Sequence, residues 1–158
     1  MNASRPIPRI LFVCLGNICR SPTAEGVFRT LAAREGLAVS VDSAGTAGWH
    51  AGKPPYGPSI AAAARRGYDL SDLRARQLTA ADFDAFDHVL VMDRANLADA
   101  AALRRSGAEP RLFLDHAPET GRAEVPDPYH TRDFDGALDL IEAASRGLIA
   151  RLKAAQMR

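Results

Sequence analysis

Short apolar runs alternating with helical stretches along 158 residues predict an α/β protein, a parallel sheet covered by helices on both faces. Two observations carry the prediction. Four brief segments (residues 10–13, 38–41, 89–92 and 111–114) have the length and composition of strands. Between them lie segments of helical character bounded by Gly and Pro. Right-handed crossovers then set the hand of the sheet. At this length the chain is one domain, large enough to bury a core.

Ile10-Leu11-Phe12-Val13 reads as the first buried strand, and Cys14 to Ser21 as the loop that follows it. Pro22 suits the first turn of a helix, where its missing N–H is no loss. Residues 23–35 continue the helix and Gly36 stops it. Ala38-Val39-Ser40-Val41 is the second strand. From Gly45 to Pro58 the density of Gly and Pro leaves only loop; Ser59 to Arg66 is helical, closed by Gly67. Thr79 and Asp82 are spaced as a capping-box variant opening a short helix. Val89-Leu90-Val91-Met92 is the third strand, with Asp93 at its carboxyl end. Residues 94–105 are helical, Arg111-Leu112-Phe113-Leu114 is the fourth strand, and a Pro-punctuated loop runs to about Arg132. The last helix shows Phe134, Leu138, Ile141, Leu148 and Leu152 at helical spacing, a stripe that faces the core. Gly147 within it weakens the helix by about 1 kcal/mol relative to alanine.

Composition excludes several classes. The net charge is +1, with 20 Lys and Arg against 19 Asp and Glu, so nothing favours nucleic acid or an anionic membrane. The first eight residues contain no apolar segment and are expected to be a flexible extension before a domain of residues 9–158. No later run approaches a transmembrane length, so a soluble, cytoplasmic protein is expected. Two cysteines five positions apart are not a disulfide framework. His50, His88, His116 and His130 are too scattered to spell a zinc motif; no metal and no cofactor is expected.

The chemistry concentrates in Cys14-Leu15-Gly16-Asn17-Ile18-Cys19-Arg20-Ser21. A loop between a strand and a helix N-terminus receives backbone N–H groups and the positive end of the helix dipole, and so suits an anion. Cys14 is the nucleophile best placed to attack that anion. The thiolate is the reactive form; free cysteine titrates near 8.5, and a helix N-terminus with a nearby cation lowers that by roughly one to five units. Arg20 is the one cation of the loop, and its planar fork can give two parallel hydrogen bonds to phosphate oxygens. Gly16 and Asn17 are the types that accept positive φ, and Ser21 can bond the Cys14 sulfur or the loop backbone. The loop lacks the paired glycines and Gly-Lys-Ser/Thr ending of a nucleotide-binding P-loop. Cys14, Ser43 and Asp93 all fall at carboxyl ends of strands, where such sheets bind ligands.

Val13 to Pro22 resembles the active-site loop of the low-molecular-weight protein tyrosine phosphatases. Asp127-Pro128-Tyr129 resembles the acid loop of that family, and Asp42-Ser43-Ala44-Gly45-Thr46 the segment behind its phosphate loop. The likeness runs from about Arg9 to the end. It implies one three-layer domain with a four-stranded parallel sheet in the order 2-1-3-4, flavodoxin-like. It implies a phosphatase that hydrolyses phosphotyrosine in proteins, and small aryl phosphates, through a phosphocysteine intermediate.

Under that resemblance Cys14 attacks phosphorus, Arg20 stabilises the equatorial oxygens, and Asp127, stiffened between Pro126 and Pro128, protonates the leaving oxygen. Taken from the residues alone, an Asp-Pro turn starter fits Asp127 equally well. Leu15, Gly16, Asn17, Ile18, Cys19 and Ser21 match the phosphate-binding loop, with Ser43 and Asp93 in support. Many members carry a histidine in the supporting network where this chain has Leu73. Trp49 and Tyr129 match the walls of the cleft. Ile18 favours phosphotyrosine, since the arginine-phosphatase branch carries threonine there; thioredoxin-coupled arsenate reduction would need two further cysteines outside the loop. A non-catalytic phosphate-binding module is the rival of another class. Cys14 and Cys19 could pair reversibly under oxidants, or Cys19 could simply fill the loop base. The partner implied is a tyrosine-phosphorylated protein, a bacterial tyrosine kinase among the candidates, with the chain a monomer or weakly self-associating.

Overall fold

The computed structural model describes residues 7–157. The proposed N-terminal extension thus lies outside the described residues except for Ile7 and Pro8. Four parallel strands form one sheet in the order β2-β1-β3-β4: β1 (Arg9–Cys14), β2 (Ser40–Gly45), β3 (His88–Val91) and β4 (Pro110–Leu112). Class and strand order are those expected.

The central strand β1 shows why both faces must be covered. Ile10, Phe12 and Cys14 enter one core, while Leu11 and Val13 enter the other, as the twofold alternation of a strand requires. β3 does the same, with Leu90 on the first side and Val89 and Val91 on the second. The larger core is built with α1 (Arg20–Arg34), α2 (Gly57–Arg65) and α6 (Phe134–Gln156). Phe12 sits at its centre, edge-on to Phe28 at 5.7 Å and to Phe113 at 4.9 Å between ring centroids. The smaller core packs Phe83 of α3 (Asp82–Ala85) and Ala100 of α4 (Arg94–Leu103) on the opposite face. A last short helix, α5 (Pro128–Thr131), precedes α6. No helix among the described residues is long and apolar enough to cross a membrane.

Several boundaries differ from the sequence expectation, each for a physical reason. The second strand begins at Ser40 and runs to Gly45, not over residues 38–41. Its register follows β1 residue for residue, from Arg9 opposite Ser40 to Cys14 opposite Gly45, so ladder hydrogen bonds carry polar Asp42 and Ser43 into the sheet. Val39 instead packs against the larger core from outside the strand. The fourth strand stops at Leu112, and Phe113–His116 winds into a 3-10 turn. A strand would send Phe113 and Leu114 to opposite faces; the turn buries both in the same core. Pro110 at the start of β4 suits an edge strand. The first helix begins at Arg20, two residues before Pro22.

Gly147 is explained by packing, since a Cβ there would overlap the carbonyl of His116. The glycine lets α6 lie directly against the turn that ends β4. Thr79 and Asp82 form half of a capping box: Asp82 Oδ2 accepts from Thr79 N at 2.8 Å, but the Thr79 hydroxyl faces that carboxylate and leaves the helix N–H groups alone.

Candidate active site

The carboxyl end of β1 and the N-terminus of α1 open onto a cleft of about 210 Å³. Cys14 and the loop that follows it line this cleft together with Trp49, His50, Asp127, Tyr129 and His130. No side chain caps the first turn of α1 and no acidic residue lies in it. The helix therefore presents its unsatisfied amides and positive end toward the cleft, a setting for an anion.

The loop keeps its shape through a chain of buried polar groups. Asn17 takes the left-handed backbone (φ 58°) anticipated for it. Gly16 does not; its missing side chain matters instead because a Cβ would lie 3.0 Å from the His50 ring. The Asn17 backbone N–H donates to the Cys14 sulfur at 3.3 Å. Its side-chain amide donates to Ser21 Oγ at 2.7 Å and to Ser43 Oγ at 3.0 Å, while its Oδ1 accepts from Arg76 N at 3.0 Å. Ser43 Oγ donates in turn to Glu25 Oε1 at 2.7 Å.

The carboxylate sets the polarity of the whole chain. As an acceptor, Glu25 receives the hydrogen bond of the Ser43 hydroxyl, so Ser43 accepts from Asn17 and the amide orientation follows. Ser21, already accepting from Asn17, keeps its own proton for the Cys14 sulfur 3.0 Å away; the Ala44 carbonyl at 3.4 Å is the poorer acceptor. Burial pushes the Glu25 carboxyl upward, while Ser43 and Arg29 at 2.6 Å pull it back. Gly45 lets the next segment close behind the loop, since a Cβ there would lie 2.7 Å from the Leu15 carbonyl.

Arg20 is only 4 % exposed, and its guanidinium is split between two duties. Nη1 donates to Asp93 Oδ2 at 2.7 Å and to the Val125 carbonyl at 3.0 Å; Nη2 points toward Asp127 Oδ2 at 3.7 Å. Burial alone would favour loss of its proton, but Cys14, Asp93 and Asp127 outweigh that and hold it above the ordinary guanidinium value. Asp93 serves two ends at once, because its other oxygen caps α4 through Asn96 N at 2.7 Å. Asp127 likewise combines both readings of its sequence. Oδ1 caps α5 by accepting from Tyr129 N at 3.0 Å, which aims Oδ2 into the cleft.

Cys19 lies at the base of the same loop and is buried. Burial pushes its thiol up to about 11, against a Ser59 contact that pulls it down, and both cysteines are free. Trp49 is 71 % exposed and Tyr129 48 %, and both line the cleft rather than seal the core. Ile18 lines the same cleft and Leu15 sits at its rim.

The structure thus brings every sequence-predicted site residue into the cleft or directly behind it. Leu73 does not enter; it packs against the larger core, and the Arg76 main chain meets Asn17. Arg76 is held by Asp82, through two hydrogen bonds of 3.0 Å, and by Asp42 at 3.0 Å. Glu25 and Arg76 were missed by sequence reasoning. A signal for Glu25 exists in the spacing of Ser21, Glu25 and Phe28, which puts an acid on the buried face of α1. None exists for Arg76, whose role is played by a backbone amide. Among the described residues no group of three or more His, Cys, Asp or Glu is arranged to hold a metal.

Comparison with known proteins places this geometry. Residues 9–158 match the family described as low molecular weight phosphotyrosine protein phosphatase. The chain is 38% identical over 148 residues to the low molecular weight protein-tyrosine-phosphatase YfkJ of Bacillus subtilis, covering 91% of this chain and 95% of that protein. The crystal structure of YfkJ superposes with a TM-score of 0.92 at 36% identity, covering 97% of this chain and 99% of that one. A human low molecular weight phosphotyrosine protein phosphatase is 38% identical over 139 residues, 84% of this chain and 87% of that one. A Drosophila arginine phosphatase shares the fold at 29% identity and a TM-score of 0.84, over 91% of this chain and 97% of that one. The fold and its thiol-lined anion site are those of a cysteine-dependent phosphatase. The chain belongs to the low molecular weight phosphotyrosine protein phosphatase family.

Proposed function

We propose that this enzyme hydrolyses phosphotyrosine in proteins, and small aryl phosphates, through a phosphocysteine intermediate, and that residues 9–158 are the catalytic unit. The observation that carries the reading is the convergence of Cys14, Arg20 and Asp127 on one cleft walled by Trp49 and Tyr129. Cys14 attacks phosphorus in line while Arg20 Nη2 and the loop amides take the equatorial oxygens, where transition-state charge spreads. Asp93 and the Val125 carbonyl hold the other guanidinium nitrogen, so the fork does not have to be ordered during the reaction. Asp127 protonates the departing phenoxide and then, ionised, activates the water that cleaves the phosphocysteine. Ser21 donates to the sulfur throughout and stabilises it as the leaving group of the second step.

Two exposed aromatic side chains, Trp49 and Tyr129, in the lining of the cleft favour a flat phenyl ring on the substrate. Ile18 adds an apolar contact where a guanidinium-bearing substrate would want a polar one. The partners proposed for this site are tyrosine-phosphorylated proteins, a bacterial tyrosine kinase among the candidates. The test measures hydrolysis of p-nitrophenyl phosphate, a phosphotyrosine peptide and a phosphoarginine peptide by wild type, Cys14→Ser and Asp127→Ala. Wild type should prefer phosphotyrosine, Cys14→Ser should be inactive, and Asp127→Ala should lose about 10²-fold or more on the peptide. Equal turnover by all three proteins would leave only phosphate binding. Faster hydrolysis of phosphoarginine would move the substrate assignment.

A further inference from the structure

We infer that Arg132 is a positioning residue that fixes the helix carrying Asp127 against the phosphate loop. The inference rests on the acid role proposed for Asp127. Arg132 ends α5, a helix of four residues, and adopts left-handed backbone with φ 63°. A helix so short cannot hold itself in place, so its position depends on ties from outside. Asp127 caps one end, and at the other the Arg132 side chain folds back over the helix.

Its guanidinium stands 5.4 Å from the Tyr56 ring centroid and 5.2 Å from that of Phe134. Nη1 donates to the Tyr56 hydroxyl at 3.0 Å and to the Tyr129 carbonyl at 3.3 Å. The Tyr56 and Tyr129 rings pack at 5.2 Å, tilted by 51°. Tyr56 in turn donates its backbone N–H to the Ile18 carbonyl at 2.7 Å. One tyrosine is therefore anchored in the phosphate loop and clamped by an arginine onto the residue whose N–H holds Asp127.

Among the described residues no carboxylate lies within ion-pair distance of Arg132, so rings and neutral oxygens are what it binds. That demands a planar, stackable cation with several donors, which lysine does not supply. A site that must set a carboxyl against a phosphoryl oxygen is sensitive to small displacements of this kind. The clamp fixes the distance between nucleophile and acid without touching the substrate.

The test uses substrates that differ in how much they need the acid. Phenyl phosphate releases a phenol about as weakly acidic as tyrosine, near 10, whereas p-nitrophenyl phosphate releases a far more acidic one. Arg132→Gly removes the clamp and suits the positive φ. Its kcat/KM for phenyl phosphate should fall about tenfold or more, and for p-nitrophenyl phosphate no more than about threefold, with the melting temperature unchanged or raised. Tyr56→Phe, which keeps the ring and loses the hydroxyl, should show the same ordering with a smaller effect. Equal falls on both substrates, or no fall on either, would overturn the inference, and if Arg132→Gly proves unstable Tyr56→Phe decides the matter by the same criterion. Wild-type inactivity on both substrates would overturn the phosphatase reading itself, a result distinct from failure of the clamp alone.

Discussion

Replacing Asn17 by aspartate should disable the cleft while leaving the fold in place, and the size of the effect follows from the geometry. Aspartate matches asparagine in shape, tolerates left-handed backbone and still accepts from Arg76 N. It cannot donate to Ser21 at 2.7 Å or to Ser43 at 3.0 Å. Ser43 is left between two carboxylates with one proton, and Ser21 turns its proton toward the new carboxylate and away from the sulfur. Each lost donation is worth about 1 kcal/mol. The larger effect is charge. The amide reaches the sulfur through one hydroxyl, 2.7 Å and then 3.0 Å. A negative charge there acts over roughly 5 Å and, at an effective dielectric of about 20, disfavours thiolate and bound phosphate by about 3 kcal/mol. Together these amount to about 5 kcal/mol, or between three and four powers of ten in kcat/KM. Ser43→Ala breaks the same chain without adding charge and should cost only about fivefold. Steady-state kinetics with p-nitrophenyl phosphate, paired with thermal melts to show that both variants are folded, provides the measurement. A folded Asn17→Asp protein retaining more than a tenth of wild-type kcat/KM would refute the argument.

Two further predictions concern stability. Gly147→Ala gains up to about 1 kcal/mol of helix propensity, but its Cβ meets the His116 backbone carbonyl, and overpacking of that kind costs about 1–3 kcal/mol. A net loss of about 1–2 kcal/mol should lower the melting temperature by roughly 3–8 °C, and a rise would show that the turn yields freely. His116 supplies a pH dependence. Burial, with Arg151 and His88 adding to it, brings its imidazole from 6.5 down to about 4. The unfolded chain therefore takes up a proton below pH 6.5 that the native protein refuses until about pH 4, so stability falls as pH falls through that window. Allowing for its partial exposure, the loss is roughly 1–2 kcal/mol. Urea midpoints at pH 7 and 4.5 should separate more for wild type than for His116→Gln; identical separations would remove His116 as the cause.

The sequence was most legible where function and local structure occupy the same few residues. Cys14 to Ser21 carries the proposed nucleophile, the cation and the turn residues in one stretch, so residue types at fixed spacing are enough to propose it. β1 and β3 were placed closely because strands buried on both faces are uniformly apolar. β2 was misplaced because Asp42 and Ser43 obscure the pattern, and only pairing with β1 draws them into the sheet. The 3-10 turn at Phe113 was invisible for the converse reason: its residues suit a strand, and only the shape of the core bends them. α5 was read as loop, since four residues after Pro126 give no periodicity.

By itself the sequence determined the order of the main elements and the grouping of Cys14, Arg20 and Ser21 in one loop between strand and helix, because each of those is set by neighbours a few residues apart. Tertiary structure decided how the groups are tuned. Glu25 orients the protons beneath Cys14 from 11 positions along the chain, Asp93 braces Arg20 across 73, and Arg132 reaches Tyr56 across 76. Contacts over such separations exist only once the sheet and its helices have closed; the local spacing that puts Glu25 on the buried face of α1 does not specify its partner.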